Sequence, residues 1–202
     1  NDSSFYTAAD GNHGQSTTSG TVTTTLDVAD IVAPTVDSFS VPATSTSLTV
    51  TVSAFTASDN TAVTGYLITE SAVAPLPGAA GWTGSAPANY TVAADGSYTL
   101  YAWAKDAAGN VSTSLFAPVT VDATAPVVSS FTTPSTSTVL AIPVTQFLAS
   151  DGIGVTGYII TTNATPPASG AAGWLGSAPA TYTVASDGSY TLYPWAQDAL
   201  GN

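Results

Sequence analysis

Residues 33 to 110 recur as residues 125 to 202 at a constant offset of 92, with no insertion, and roughly 50 of the 78 paired positions are identical. The identities include the bulky pairs Phe39/Phe131, Tyr66/Tyr158, Trp82/Trp174, Tyr98/Tyr190 and Trp103/Trp195. Self-similarity at one fixed period is the mark of an array. The period is longer than the roughly 20 to 50 residues of solenoid units and close to the roughly 100 residues of a small β-sandwich. Each copy is therefore expected to carry its own core.

Composition narrows the partners. Apolar residues make up 44% of the chain, while charged residues are only 7%, against about a quarter in an average globular protein. There are 13 acidic residues and a single Lys or Arg, giving a net charge of -12, which excludes nucleic acid and anionic membrane surfaces as partners because both require clustered cations. No Cys is present, so neither disulfides nor thiol chemistry enter the argument. The chain has no run of 18 apolar residues, so no membrane insertion is expected. A Thr-rich, Lys-poor, acidic β chain of this kind is expected outside the cell, secreted or on its surface, and the missing initiator Met suggests a processed or excised piece.

The strand signals agree between the copies. Residues 47 to 53 alternate with period two, and residues 63 to 69 and 98 to 104 are β-branched and aromatic runs bounded by turn residues. Turn pairs separate them: Asp59-Asn60, Asp95-Gly96 and Gly109-Asn110, repeated as Asp151-Gly152, Asp187-Gly188 and Gly201-Asn202. No convincing helical periodicity is present. The fold class is all-β.

The sequence from Ser47-Leu-Thr-Val through Ser58-Asp-Asn to Val63-Thr-Gly-Tyr resembles the B strand, BC loop and C strand of fibronectin type III domains. Val92-Ala-Ala-Asp-Gly-Ser-Tyr98 is similar to their EF turn with its tyrosine corner. Asp106-Ala-Ala-Gly-Asn110 and Asp122-Ala-Thr-Ala-Pro126 are similar to the tandem immunoglobulin-like repeats of bacterial surface proteins and adhesins. The resemblance implies tandem Ig-like sandwiches with strand A near residues 35 to 41, B 47 to 54, C 63 to 69, E 88 to 92, F 97 to 105 and G 111 to 121. Residues 70 to 87 would form the CE connection, with Trp82 plugging one end of the core. Tyr66, Ile68, Tyr98, Leu100 and Ala102 should face inward, and Tyr101 and Trp103 outward. Pro194, in place of Ala102, calls for a bulge or locally unpaired backbone.

On this template residues 33–122 form one domain, and residues 123–202 form a second without its own G strand. Residues 1–32 read as the tail of a preceding domain or as a donor strand, with Val22, Leu26 and Val28 on one face. Two arrangements follow. Either the chain is a window from a longer array, or the N-terminal strand of one subunit completes the last domain of its neighbour in a head-to-tail homopolymer.

Candidate chemistry gathers where the BC and FG loops share the end at which the chain enters. Asp30, Asp59, Asp106 and Asn110 meet there in the first copy, and Asp122, Asp151, Asp198 and Asn202 in the second. Carboxylates with backbone carbonyls suit Ca2+, a hard cation taking 6 to 8 oxygens; the same residues are also ordinary turn formers. Asp95 and Asp187, at the other end, read as hairpin residues only. The outward pairs Tyr101/Trp103 and Tyr193/Trp195 suit sugar stacking or subunit packing, or are covered by the CE connection. Catalysis is not expected: the single His13 lies outside both repeats, and Glu70 becomes Thr162. The expected role is a structural subunit of an extracellular filament or surface stalk; the alternative is an adhesion or carbohydrate-binding module of a larger secreted protein, with glycans or surface proteins as partners.

Overall fold

The computed structural model describes residues 29–202. Val22, Leu26 and Val28, and with them the expected N-terminal strand, lie outside the described residues. The described residues contain strands and no helix.

In the first repeat the strands are β1 (Thr35–Ser40), β2 (Thr44–Ser45), β3 (Thr49–Thr51), β4 (Ala54–Ser58), β5 (Gly65–Thr69), β6 (Asn89–Thr91), β7 (Gly96–Lys105) and β8 (Leu115–Val121). They form two layers. One contains the antiparallel pairs β1 with β4 and β3 with β6; the other is a four-stranded sheet in the order β2-β8-β7-β5. Expected strand B is longer than its alternation suggested and is broken at Val52-Ser53. Its first half pairs with β6, and its second half runs on to Ser58 along β1. The short β2 runs parallel to the end of β8.

The alternation of apolar residues sets the core. Val36, Val50, Phe55 and Val92 from one layer meet Ile68, Leu100, Ala102, Ala104, Val119 and Val121 from the other. Val50, Leu100 and Val121 are completely buried. Phe55 bridges Phe39 and Tyr66 by edge-on contacts at 5.7 and 5.2 Å, the arrangement that ring quadrupoles favour. At the EF turn the Tyr98 hydroxyl donates to the Ala94 carbonyl at 2.6 Å, as expected for that segment, and Tyr190 repeats the bond to Ser186 at 2.8 Å.

The second repeat copies this plan through β9 (Val127–Thr132), β10 (Ala141–Pro143), β11 (Gln146–Ser150), β12 (Val155–Thr161), β13 (Thr181–Thr183) and β14 (Tyr193–Asp198). Pairings β9 with β11, β10 with β13 and β12 with β14 match those of the first repeat, and the edge-on contacts recur around Phe147. The difference lies along β14. In the first repeat, residues 96 to 100 of β7 pair with β8 alone. Their counterparts 188 to 192 have no such partner among the described residues and are not strand. Among the described residues nothing in the second repeat corresponds to β2 either, because β2 depends on the same neighbour.

Of the bulge or locally unpaired backbone that its sequence position called for, Pro194 shows the second, on the side of β14 away from β12. It pairs in register with Ile160, and the only register shift in that ladder lies between Val155 and Gly157. The reason can be read from the first repeat. There Ala104 N–H donates to Ser112 on the β8 side of β7, so the amide two residues earlier, at position 102, faces the same side. The N–H that Pro194 lacks would therefore face the open edge, not β12. Proline on an edge also blunts unwanted strand pairing.

Candidate metal centre

Each repeat brings three Asp residues together where the chain enters it. One carboxylate oxygen from each of Asp30, Asp59 and Asp106 lies within 4.8 Å of the others, and the same holds for Asp122, Asp151 and Asp198. The first Asp of each set comes from the linker, the second from the turn after β4 or β11, and the third from the turn after β7 or β14.

The loop carboxylates fold their own turns with one oxygen. Asp59 Oδ2 accepts the amides of Thr61 and Ala62, both at 3.0 Å, and Asp151 Oδ2 accepts those of Ile153 and Gly154 at 2.8 and 3.0 Å. Asp198 Oδ1 gathers the amides of Leu200, Gly201 and Asn202 at 2.8, 2.8 and 3.0 Å. That tight turn requires the left-handed backbone of Gly201, φ 90°, matched by Gly109 at 91°. Turn former and candidate ligand are thus compatible roles. The remaining oxygens Asp59 Oδ1, Asp122 Oδ2 and Asp198 Oδ2 are buried without any hydrogen-bond partner, a costly state for a carboxylate without a cation.

The two clusters differ chemically. Asp30 is satisfied by neighbours: Oδ1 accepts from the Val32 amide at 3.0 Å and Asn60 Nδ2 at 3.2 Å, and Oδ2 from the Thr61 hydroxyl at 2.8 Å. The Val32 amide first, then Thr61 and Asn60, hold its carboxyl below the usual carboxylate range. Positions 60 and 61 become Gly152 and Ile153 in the second repeat, so those two side-chain donors are absent beside Asp122. Asp122 is 1% exposed. Burial, and then the charge of Asp198, push its carboxyl up. At Asp106 burial acts in the same direction, but hydrogen bonds from Asn110 and Gly109 outweigh it and the group stays low. The second cluster has the larger unmet demand for positive charge.

Asn110 and Asn202 sit at these sites as donors. Asn110 Nδ2 reaches the Asp30 carbonyl at 3.0 Å and Asp106 Oδ2 at 2.6 Å, and Asn202 Nδ2 reaches the Asp122 carbonyl at 2.8 Å. They tie the linker backbone to the loop and orient the carboxylates. Their amide hydrogens, rather than their oxygens, make the contacts.

Asp95 does more than its turn position suggested. Its carboxylate accepts the Ala123 amide at 2.8 Å and the Thr124 hydroxyl, so it clamps the linker from the first repeat's far end. The signal was the pairing of Gly96 with Val121, which sets the EF turn beside the start of the linker, but that pairing cannot be read from a turn motif. Thr124 first, then Ala123, hold the Asp95 carboxyl below its ordinary 3.8. A depressed carboxylate pKa contributes stability that is present above the unfolded value and lost as pH falls through the folded one. In an NMR pH titration the Ala123 amide should report a midpoint below 3.8. A midpoint at or above 3.8 would show that the clamp does not form.

On the aromatic face the reading that holds for Trp103 is cover by the CE connection. Trp103 does point away from the core, opposite Leu67, yet it is 3% exposed and its indole N–H donates to Thr69 Oγ1 at 3.0 Å. The CE connection lies over this face. Gly81 approaches Leu67, and Thr83 bridges Tyr66. Trp82 does not plug the end of the core: its indole donates to the Leu76 carbonyl at 3.1 Å, and the Lys105 ammonium stands over its ring at 5.0 Å. Tyr101 is half-buried against Phe116. Tyr193 and Trp195 are half-buried too, Trp195 bonded to Thr161 at 2.9 Å. Polarity along a strand reports the side a residue faces, not whether a loop covers that side.

A scan against protein-family models finds no match to this chain, and a search of curated proteins finds no significant relative.

Proposed function

We propose that the chain is a structural segment of an extracellular filament or surface stalk built from tandem Ig-like sandwiches, with Ca2+ clamping each linker to the repeat that follows. The observation that carries this reading is the duplicated cluster, in which a linker Asp joins two loop carboxylates, and in which Asp59, Asp122 and Asp198 each keep a buried oxygen without a partner. Three carboxylates converging with linker carbonyls nearby offer the oxygen-only, irregular coordination that Ca2+ accepts more readily than Mg2+. A cation held by linker and loops together stiffens the joint between repeats, which is what a load-bearing array requires. The acidic surface and the Thr-rich, Cys-free composition suit an extracellular setting.

Isothermal titration of the chain with CaCl2 tests the clamp. Binding is expected, the tighter site being that of Asp122, Asp151 and Asp198, and Asp198→Asn should remove that site while leaving the other. Absence of binding heat in the unaltered chain, at any accessible protein concentration and with folding verified, would overturn the reading. Burial of Trp103 removes one of the flat faces on which the carbohydrate-binding alternative rested.

A further inference from the structure

Alternation along β7 sets Leu100, Ala102 and Ala104 into the core of the first repeat and turns Ser97, Thr99, Tyr101 and Trp103 to the opposite face of the sheet. The CE connection covers the end of that face at Trp103, which is 3% exposed. Toward the EF turn the face stays open. Tyr101 stands between Thr69 on β5 and Phe116 on β8, the next pair is Thr99 with Pro118, and the last is Ser97 with Thr120. Phe116 is 65% exposed, and Pro118 and Ser97 are exposed as well. Three residue pairs on two neighbouring strands make a shelf roughly 10 Å wide and 14 Å long.

The shelf carries no charged side chain. The charged residues at the ends of its strands are all held elsewhere: Asp95 accepts from the Ala123 amide and Thr124, and Glu70 accepts from the Tyr90 hydroxyl of the opposite layer. Lys105 donates to the Pro77 carbonyl beside the Trp82 ring, and Asp122 is buried in the second cluster. An anionic ligand would find no cation here, and a cationic one no open carboxylate. The shelf's area of roughly 140 Å2 is also far below the roughly 800 Å2 that each partner buries in a standard protein interface. The chemistry that fits is a slender, neutral molecule with apolar faces and hydroxyl edges. Tyr101 offers both contacts, because its ring lies on the shelf and its hydroxyl, unlike those of Tyr90 and Tyr98, has no partner among the described residues.

We propose that this shelf binds a single chain of a neutral polysaccharide, with Tyr101 and Phe116 stacked on the apolar faces of successive sugars and the hydroxyls of Ser97, Thr99 and Thr120 bonding their edges. The two ring centroids are 5.8 Å apart, close to the advance of one sugar along an extended glycan. Their planes are inclined by 41°, so they do not form the flat strip that would lie on a crystalline polysaccharide. A free chain, whose successive sugars are rotated against each other, meets both rings. The sequence pointed to stacking by Tyr101 with Trp103; the fold buries Trp103 and sets Phe116 beside Tyr101 in its place. This activity is separate from the calcium clamp and does not rest on it.

Affinity electrophoresis of the whole chain tests the shelf, in native gels cast with mixed-linkage β-glucan, galactomannan, arabinoxylan or dextran, and with alginate as a polyanionic control. At least one neutral polymer is expected to retard the chain, and alginate is not. Phe116→Ala should weaken that interaction by roughly tenfold or more, the effect of losing one well-packed aromatic contact. Its urea midpoint should stay that of the unaltered chain, because Phe116 is 65% exposed. Tyr101→Phe keeps the ring and loses the hydroxyl, so it should weaken binding less than Phe116→Ala. The proposal is overturned if no neutral polymer retards the chain, if Phe116→Ala binds as well as the unaltered chain, or if alginate binds equally well. Loss of a dimer in Phe116→Ala, with polysaccharide retardation unchanged or absent throughout, would assign the shelf to contact between copies and overturn it too.

Discussion

Trp103→Ala is expected to destabilise the first repeat by about 3 to 5 kcal/mol, the range for truncating a large buried aromatic side chain. The indole is 3% exposed between β7 and the CE connection and holds Thr69 by its N–H. Removal opens a cavity under a loop and frees a hydroxyl that had a partner. Trp103→Phe should cost less, about 1 kcal/mol for the lost hydrogen bond plus the smaller ring. Trp195→Ala should cost less than Trp103→Ala, because its counterpart site already borders an open cavity of about 320 Å3. Urea unfolding of the three variants would check the order. A change below about 1 kcal/mol for Trp103→Ala would mean that the CE connection does not cover this face and would restore a surface role for the indole.

The second large effect is thermal. A ligand that binds only the folded state stabilises it by about 2.7 kcal/mol at a hundredfold excess over its Kd, and a domain of this size responds by roughly 4 to 8 °C for each kcal/mol. Saturating Ca2+ should therefore raise Tm by roughly 10 to 20 °C relative to EGTA. The second repeat should respond more, because Asp122 and Asp198 each keep a buried oxygen without a partner, whereas Asn60 and Thr61 already satisfy Asp30. Asp122→Asn should raise the melting temperature in EGTA, by relieving repulsion with Asp198, and should abolish most of the calcium response. Scanning calorimetry with and without chelator separates the transitions. Equal melting in calcium and EGTA would rule out a resident cation.

Much of the strand layout was legible because its signals are local. Alternation along residues 47 to 53 and 98 to 104 follows from the period of two, and the inward set Tyr66, Ile68, Leu100 and Ala102 follows from it too. The gathering of Asp30, Asp59 and Asp106 was also legible, since the exact copying of a linker Asp with two loop Asp residues implies shared space. Less accessible were properties that depend on a neighbour from elsewhere in the chain. Trp103 reads as outward-facing, and whether the CE connection covers it stays open until that loop is placed. Pro194 reads as a ladder break until the direction of its missing N–H is known. Asp95 reads as a hairpin residue until the pairing of Gly96 with Val121 carries the linker past it.

What the sequence alone determined is the repeat: a period of 92, an all-β pattern, and the same residue types returning at the same places, because periodicity and turn chemistry are written along the chain. Only the tertiary structure decided that the CE connection buries Trp103, that Asp95 clamps the linker, and that Asp30 is satisfied by Asn60 and Thr61 while Asp122 keeps a buried oxygen without a partner. Strand order and burial arise from contacts between segments far apart in sequence.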